Sequence, residues 1–307
     1  MGRADEVRDA VAPDLTDAEG LEDRLGFAVL DLTSDDGWYD ALRGADVLMH
    51  TASPFPMIQP SDENTVIRPA VDGALRALKA AKAAGIGRVV MTSSIVAVES
   101  TDLPAGRSKY TEDDWTNTER KTTTPYAKSK TLAERAAWAF VETEAPKIAL
   151  TTINPSLVLG PPLDKHYGTS IQLVERMLRA KDPILPQFGF SVVDVRDVAA
   201  AHVRALDHPE SIGKRILIAD RFIWTYEMAE VLKAAYRDRK IVTRRAPTFV
   251  VRILAVFDKS IASILPILGK RTDVSNARAK ELLGMKFTSA EDAVRASADW
   301  LIRNTDI

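Results

Sequence analysis

The stretch from Arg88 to Lys130 constrains the chain most. It opens with Arg88-Val89-Val90-Met91-Thr92, a short apolar run, and stops in two hydroxyls, Ser93-Ser94. Such a run reads as a buried strand of a parallel sheet covered by helices. The stretch closes with Thr124-Pro125-Tyr126-Ala127-Lys128-Ser129-Lys130, followed by Thr131-Leu132-Ala133-Glu134. Thr124 can cap a helix there, and Pro125 suits its first position. Tyr126 and Lys130 then lie four apart on one helix face. A hydroxyl at a strand end facing such a pair implies proton-transfer chemistry.

A phenol has an unperturbed pKa of about 10, so alone it exchanges protons poorly near neutrality. A nearby lysine ammonium is expected to favour the phenolate and lower that value. The tyrosine could then protonate a carbonyl oxygen or deprotonate an alcohol, a step contributing roughly 10²–10⁴-fold in rate. The serine hydroxyl would hold the same oxygen in place. The expected partner of that proton is a hydride, for which a nicotinamide is the expected cofactor. The Tyr-x-x-x-Lys spacing alone is weak: Tyr236 and Lys240 repeat it within a basic run, with no serine-ended strand before them, and read as a solvated helix terminus.

Arg88–Ser94, Tyr126–Glu134 and Asn154-Pro155-Ser156-Leu157-Val158-Leu159-Gly160-Pro161 together resemble an extended short-chain dehydrogenase/reductase of the dihydroflavonol reductase-like, aldehyde reductase branch. The resemblance runs from about Ala4 to Ile302. It implies a Rossmann-like α/β fold with a doubly wound parallel sheet and a smaller C-terminal substrate domain. Residues 1–160 with about 188–220 would form the dinucleotide-binding part, and residues 161–187 with 221–307 the substrate part. It implies catalytic roles for Ser94, Tyr126 and Lys130, with Ser93 as the second choice of serine, and a ribose contact for Tyr126 and Lys130. Asp31 and Leu32 would lie against the adenine, and Thr51, Ala52 and Ser53 along the pyrophosphate and ribose. Pro155, Ser156 and Val158 would lie at the nicotinamide, and Ser170 would meet phosphate at a helix start. Glu99, His166 and Tyr167 would border the substrate. The implied cofactor is NADP(H) in preference to NAD(H), and the implied substrate a small carbonyl compound. Plant flavonoid reductases carry an asparagine where this chain has Glu99, which argues against a flavonoid substrate.

A hydrophobic share of 46% and a charged share of 27% suit an ordinary globular protein. A net charge of −2 gives no nucleic-acid or membrane footprint. The absence of cysteine excludes a disulfide, a thiolate nucleophile and a cysteine-ligated metal. No metal site is expected; a cytoplasmic monomer or homodimer is. Phe27–Leu30 and Val47–His50 read as strands, Asn64–Ala84 as a helix kinked at Pro69, and Ile148–Ile153 and Arg215–Ala219 as further strands. His50 reads as a packed core histidine, and Trp115 as either pocket wall or packing anchor. Val250 to Leu268 carries an apolar stripe at helical spacing, expected to pack on the core or roof the pocket. Arg252, Asp258 and Lys259 interrupt it, so it is no membrane span.

The chain contains no Gly-x-x-Gly-x-x-Gly loop, the phosphate cradle of this family. Its opening resembles the segment just after the family's second strand. The first strand–helix–strand unit, about 30 residues, is therefore expected to be absent, leaving a gap between Phe27–Leu30 and Val47–His50 or forcing those strands together. Alternative readings are a non-catalytic remnant with impaired dinucleotide binding, or a sugar-nucleotide epimerase or dehydratase.

Overall fold

A computed structural model describes residues 2–15, 20–54, 62–257 and 259–307. Asp258, one of the charges expected to interrupt the apolar stripe, lies outside them. The chain begins with α1 (Arg3–Val11), α2 (Leu21–Arg24) and α3 (Trp38–Leu42), then β1 (Val47–His50), α4 (Asn64–Ala84) and β2 (Arg88–Thr92). It continues with α5 (Pro125–Thr143), β3 (Ala149–Pro155), β4 (Leu157–Leu159), α6 (Thr169–Leu178), β5 (Gly189–Asp194) and α7 (Val195–Asp207). It ends with β6 (Arg215–Ile218), β7 (Arg221–Trp224), α8 (Thr225–Ala235), α9 (Thr248–Leu254), α10 (Lys259–Ile264), α11 (Ala277–Leu283) and α12 (Ala290–Asn304).

The main sheet is parallel throughout, in the order β1-β2-β3-β6. Period-two alternation sends its side chains to two different cores. Val89, Met91 and Leu150 pack against Ala74, Leu78, Ala137 and Phe140 of α4 and α5. Val90, Ile153, Ile216 and Ile218 pack against Ala201, Ala205, Ala279 and Leu283 of α7 and α11. Helices thus cover both faces, which is why β2 reads as an uninterrupted apolar run. A second sheet, β4-β5-β7, joins residues 157–159, 189–194 and 221–224. Its core against α6, α8 and α12 includes Leu159, Val174, Met228, Leu232, Val294 and Leu301.

Local chemistry sets the element ends. Thr124 Oγ1 accepts from the Ala127 amide at 3.2 Å and opens α5 at Pro125. Ser289 caps α12 in the same way through the Asp292 amide. Gly85, at φ 79°, stops α4 in the left-handed region where a Cβ is disfavoured. Pro69 does not break α4, which spans all 21 residues. Its missing N–H would have reached the carbonyl of Thr65, an exposed residue that water can satisfy.

Two expectations need correcting. Phe27–Leu30 forms no strand: Val29 is fully exposed and Phe27 is 48% exposed. A strand requires a hydrogen-bonded neighbour, and among the described residues β1 pairs only with β2. The segment is held from outside the sheet instead. The Arg8 guanidinium lies over the Phe27 ring, and Trp38 Nε1 donates to the Asp31 carbonyl at 3.0 Å. The apolar stripe is likewise no packed helix. It divides into α9 and α10; Val251 is buried, whereas Ile253 and Phe257 are exposed.

Candidate active site

β2 delivers its chain end between α5 and the neighbouring strand β3, and there the two serines part. Ser94 Oγ accepts from the Val96 amide at 3.4 Å, which caps a 3-10 turn over Ile95–Ala97. The Ser94 and Tyr126 hydroxyls also share a hydrogen bond. Ser93, the second choice of serine, turns the other way and donates to Glu134 Oε2 at 2.5 Å. Lys130 is buried one helical turn beyond Tyr126, its Nζ 6.0 Å from the centre of the phenol ring. Lys128 Nζ, on the same turn, pairs with Glu63 Oε2 at 2.7 Å and ties the start of α5 to that of α4. The structure therefore brings Ser94, Tyr126 and Lys130 together.

Their protonation differs from the sequence expectation. Burial raises the Tyr126 phenol above its ordinary value, and the Ser94 hydrogen bond only partly offsets this. Burial pushes Lys130 down to about 8, against an upward pull from Glu134. Desolvation penalises the charged form of both groups. Near neutrality the pair therefore holds a neutral phenol beside a protonated lysine, the state of a proton donor. His50 is buried, and desolvation followed by the nearby Lys130 charge takes it down to about 4. It is a neutral core histidine, not a proton shuttle. Glu99 is pushed up to about 7 by burial and acts electrostatically on Tyr126, so it lies on the same side of the site.

The residues expected to meet a cofactor fall into separate groups. A cavity of about 20 Å³, the size of one water, is lined by His50, Ala52, Ser53, Ser93, Lys130 and Glu134. Thr51 and Ala52 are exposed beside it. A larger cleft of about 660 Å³ is lined by Val158, Tyr167, Ser170 and Arg196, among others. That volume is ordinary for a small-molecule site. β3 ends at Pro155, and Ser156 Oγ, just beyond it, is buried without a protein partner. Ser170 lies in the first turn of α6. An orphaned hydroxyl at a strand end and a helix start beside an open cleft fit the nicotinamide end of a dinucleotide.

Other expected residues are committed elsewhere. The Asp31 carboxylate accepts from the amide and hydroxyl of Thr33, both at 2.7 Å. Leu32 packs over Gly73 of α4, where an added Cβ would come within 3.1 Å of it. His166 lines the large cleft, but its ring bonds Glu6 of α1 at 3.1 Å. The Tyr167 hydroxyl donates to Glu175 at 3.2 Å. Among the described residues no cluster of His, Asp and Glu could hold a metal ion, and no helix is long and apolar enough to cross a membrane.

Three polar residues beside the site had no role assigned from sequence. Glu134, Asn154 and Arg215 are buried and hydrogen-bonded to one another or to the serine turn. A local signal existed for Glu134, four residues beyond Lys130 on the same helix face. Arg215 had none, because it arrives from 81 residues away.

Residues 6–219 match the NAD dependent epimerase/dehydratase family. The chain is 30% identical over 315 residues to the NADPH-dependent methylglyoxal reductase GRE2 of Saccharomyces cerevisiae, an alignment covering 95% of this chain and 88% of that protein. It is 29% identical over 303 residues to the cinnamoyl-CoA reductase CAD2 of Medicago truncatula, covering 96% and 86%. The crystal structure of yeast methylglyoxal/isovaleraldehyde reductase Gre2 complexed with NADPH matches with a TM-score of 0.74 at 26% identity, over 95% of this chain and 88% of that one.

Proposed function

Because the chain belongs to the NAD dependent epimerase/dehydratase family, in the reductase branch that includes Gre2 and cinnamoyl-CoA reductase, we propose that it reduces an aldehyde or ketone to the alcohol at the expense of NADPH. The observation that carries this reading is the Ser94–Tyr126 hydrogen bond with Lys130 buried one turn away. When bound, the reduced nicotinamide supplies a hydride to the carbonyl carbon. Tyr126 gives its hydroxyl proton to the carbonyl oxygen, and Ser94 holds that oxygen by a second hydrogen bond. Lys130, charged below about pH 8, favours the phenolate left behind and donates to the ribose. Pro155, Ser156, Val158 and Ser170 would receive the nicotinamide and phosphate, with the exposed Thr51 and Ala52 and the half-buried Ser53 towards the pyrophosphate.

NADPH is preferred to NADH because the yeast methylglyoxal reductase that this chain resembles is NADPH-dependent and its crystal structure is an NADPH complex. Small apolar or aryl aldehydes and ketones are the expected substrates, since Glu99 does not supply the asparagine of flavonoid reductases. NADPH consumption with a panel of aldehydes, diketones and dihydroflavonols tests the reading. Turnover of the first two classes is expected. Activity confined to dihydroflavonols would refute the substrate class, and no turnover at saturating NADPH would refute the reaction.

A further inference from the structure

We propose that Glu134 is a positioning residue of this site: paired with Arg215, it fixes the Ser93-Ser94 turn against α5 and links it to the loop over residues 99–123. This deepens the reading of Ser94, Tyr126 and Lys130 as the reacting groups and rests on it.

Glu134 is fully buried. A buried carboxylate is tolerated only when paired and hydrogen-bonded, and both of its oxygens are. Oε1 accepts from Arg215 Nε at 2.6 Å and from Thr152 Oγ1 at 3.1 Å. Oε2 accepts from Ser93 Oγ at 2.5 Å and Asn154 Nδ2 at 2.8 Å. Asn154 Nδ2 also donates to the Ser94 carbonyl at 3.2 Å. The carboxylate thus grips the strand end on both sides of the peptide that carries Ser94.

Arg215 extends the grip. Its Nη1 donates to the carbonyls of Glu112 and Asp114 at 2.8 and 2.7 Å, and its guanidinium stacks on Trp115 at 3.6 Å. Trp115 is therefore an anchor of the loop rather than free pocket wall. A buried ion pair is weak grounds for stability, since apolar residues of similar volume often replace one without loss. What this pair supplies is orientation, because the groups it holds adjoin Ser94.

Glu134 also acts on Lys130, one turn before it. It is the anion that opposes the loss of charge that burial imposes there. Among the described residues, the other titratable groups facing Lys130 include Tyr126 on α5, neutral at pH 7, and His50 on β1, whose pKa is about 4.

The test compares Glu134→Gln with Glu134→Gln/Arg215→Met, a variant that leaves no unpaired arginine. Three quantities are read: kcat and KM with NADPH and an aldehyde, the pH midpoint of Lys130 by NMR of labelled lysine, and the thermal midpoint. In Glu134→Gln, kcat should fall by about 10²-fold, the scale of a small misplacement in a site, with a smaller change in KM. The Lys130 midpoint should move to lower pH. In the double variant the thermal midpoint should recover while kcat and the Lys130 midpoint stay low. Recovery of kcat together with thermal stability would overturn the proposal, as would an unchanged Lys130 midpoint in Glu134→Gln. If the wild-type protein shows no reductase turnover, the functional reading fails by itself, and the Lys130 midpoint still decides the role of Glu134.

Discussion

The two ends of the candidate site are built differently. The proposed catalytic wall stands on β2, β3 and α5, where Val89, Val90, Leu150 and Ile153 are buried almost completely and Glu134 closes the polar network. The proposed nucleotide end stands on β1 and residues 27–32, where Val29 is fully exposed, Thr51 and Ala52 are exposed, and β1 has one strand neighbour among the described residues. Catalytic groups must be held to within fractions of an ångström, and here they arise from elements covered on both faces. Close packing thus distinguishes one end of the proposed site, and solvent exposure the other.

Several measurements would break or sharpen that contrast. The largest effect is expected from Tyr126→Phe, which removes the proton donor and should lower the turnover of NADPH by roughly 10²–10⁴-fold. A variant that kept near-full turnover would move the acid elsewhere. Next come paired truncations, one in each region. Leu150→Ala should cost about 2–5 kcal/mol of stability, because it opens a void under α4 and α5. Val29→Ala should stay within about 0.5 kcal/mol, since the side chain touches water throughout. Equal losses in chemical denaturation would show that the 27–30 segment is packed after all.

Glu99 should give a smaller, pH-dependent signal. Its pKa rises from 4.5 in the unfolded chain to about 7 in the folded one. The folded state therefore holds the proton longer, and stability falls as pH increases from about 4.5 to about 7. Glu99→Gln should flatten the thermal midpoint across that window; an unchanged slope would show that Glu99 is solvated. The smallest effect belongs to Tyr236→Phe. Tyr236 caps the end of α8 and donates to Asp299 at 2.5 Å, and burial and that carboxylate raise its pKa. Losing this bond should cost about 1 kcal/mol and leave turnover unchanged.

The two Tyr-x-x-x-Lys pairs show how far local reading extends. The helix start at Thr124-Pro125, the helix over Asn64–Ala84 and the strand over Arg88–Thr92 were legible because capping chemistry and hydrophobic period act within a few residues. The apolar stripe at Val250–Leu268 had an equally clear period and still did not form one packed helix, because periodicity does not say whether a partner face exists. The missing strand at Phe27–Leu30 failed for the same reason: its apolar residues are suitable, but strand structure depends on a neighbour.

The sequence by itself determined the family and the parallel α/β plan, and it singled out Ser94, Tyr126 and Lys130 as the proposed reacting set, since these follow from motifs and periods carried on contiguous residues. Tertiary structure decided which of two adjacent serines faces Tyr126, because β-strand alternation sends Ser93 to Glu134 and leaves Ser94 for the phenol. It also decided the charge states, since burial, which no single residue encodes, raises Tyr126 and lowers Lys130. And it alone placed Arg215 beneath Glu134, a pairing 81 residues apart in the chain that exists only because β6 lies beside β3.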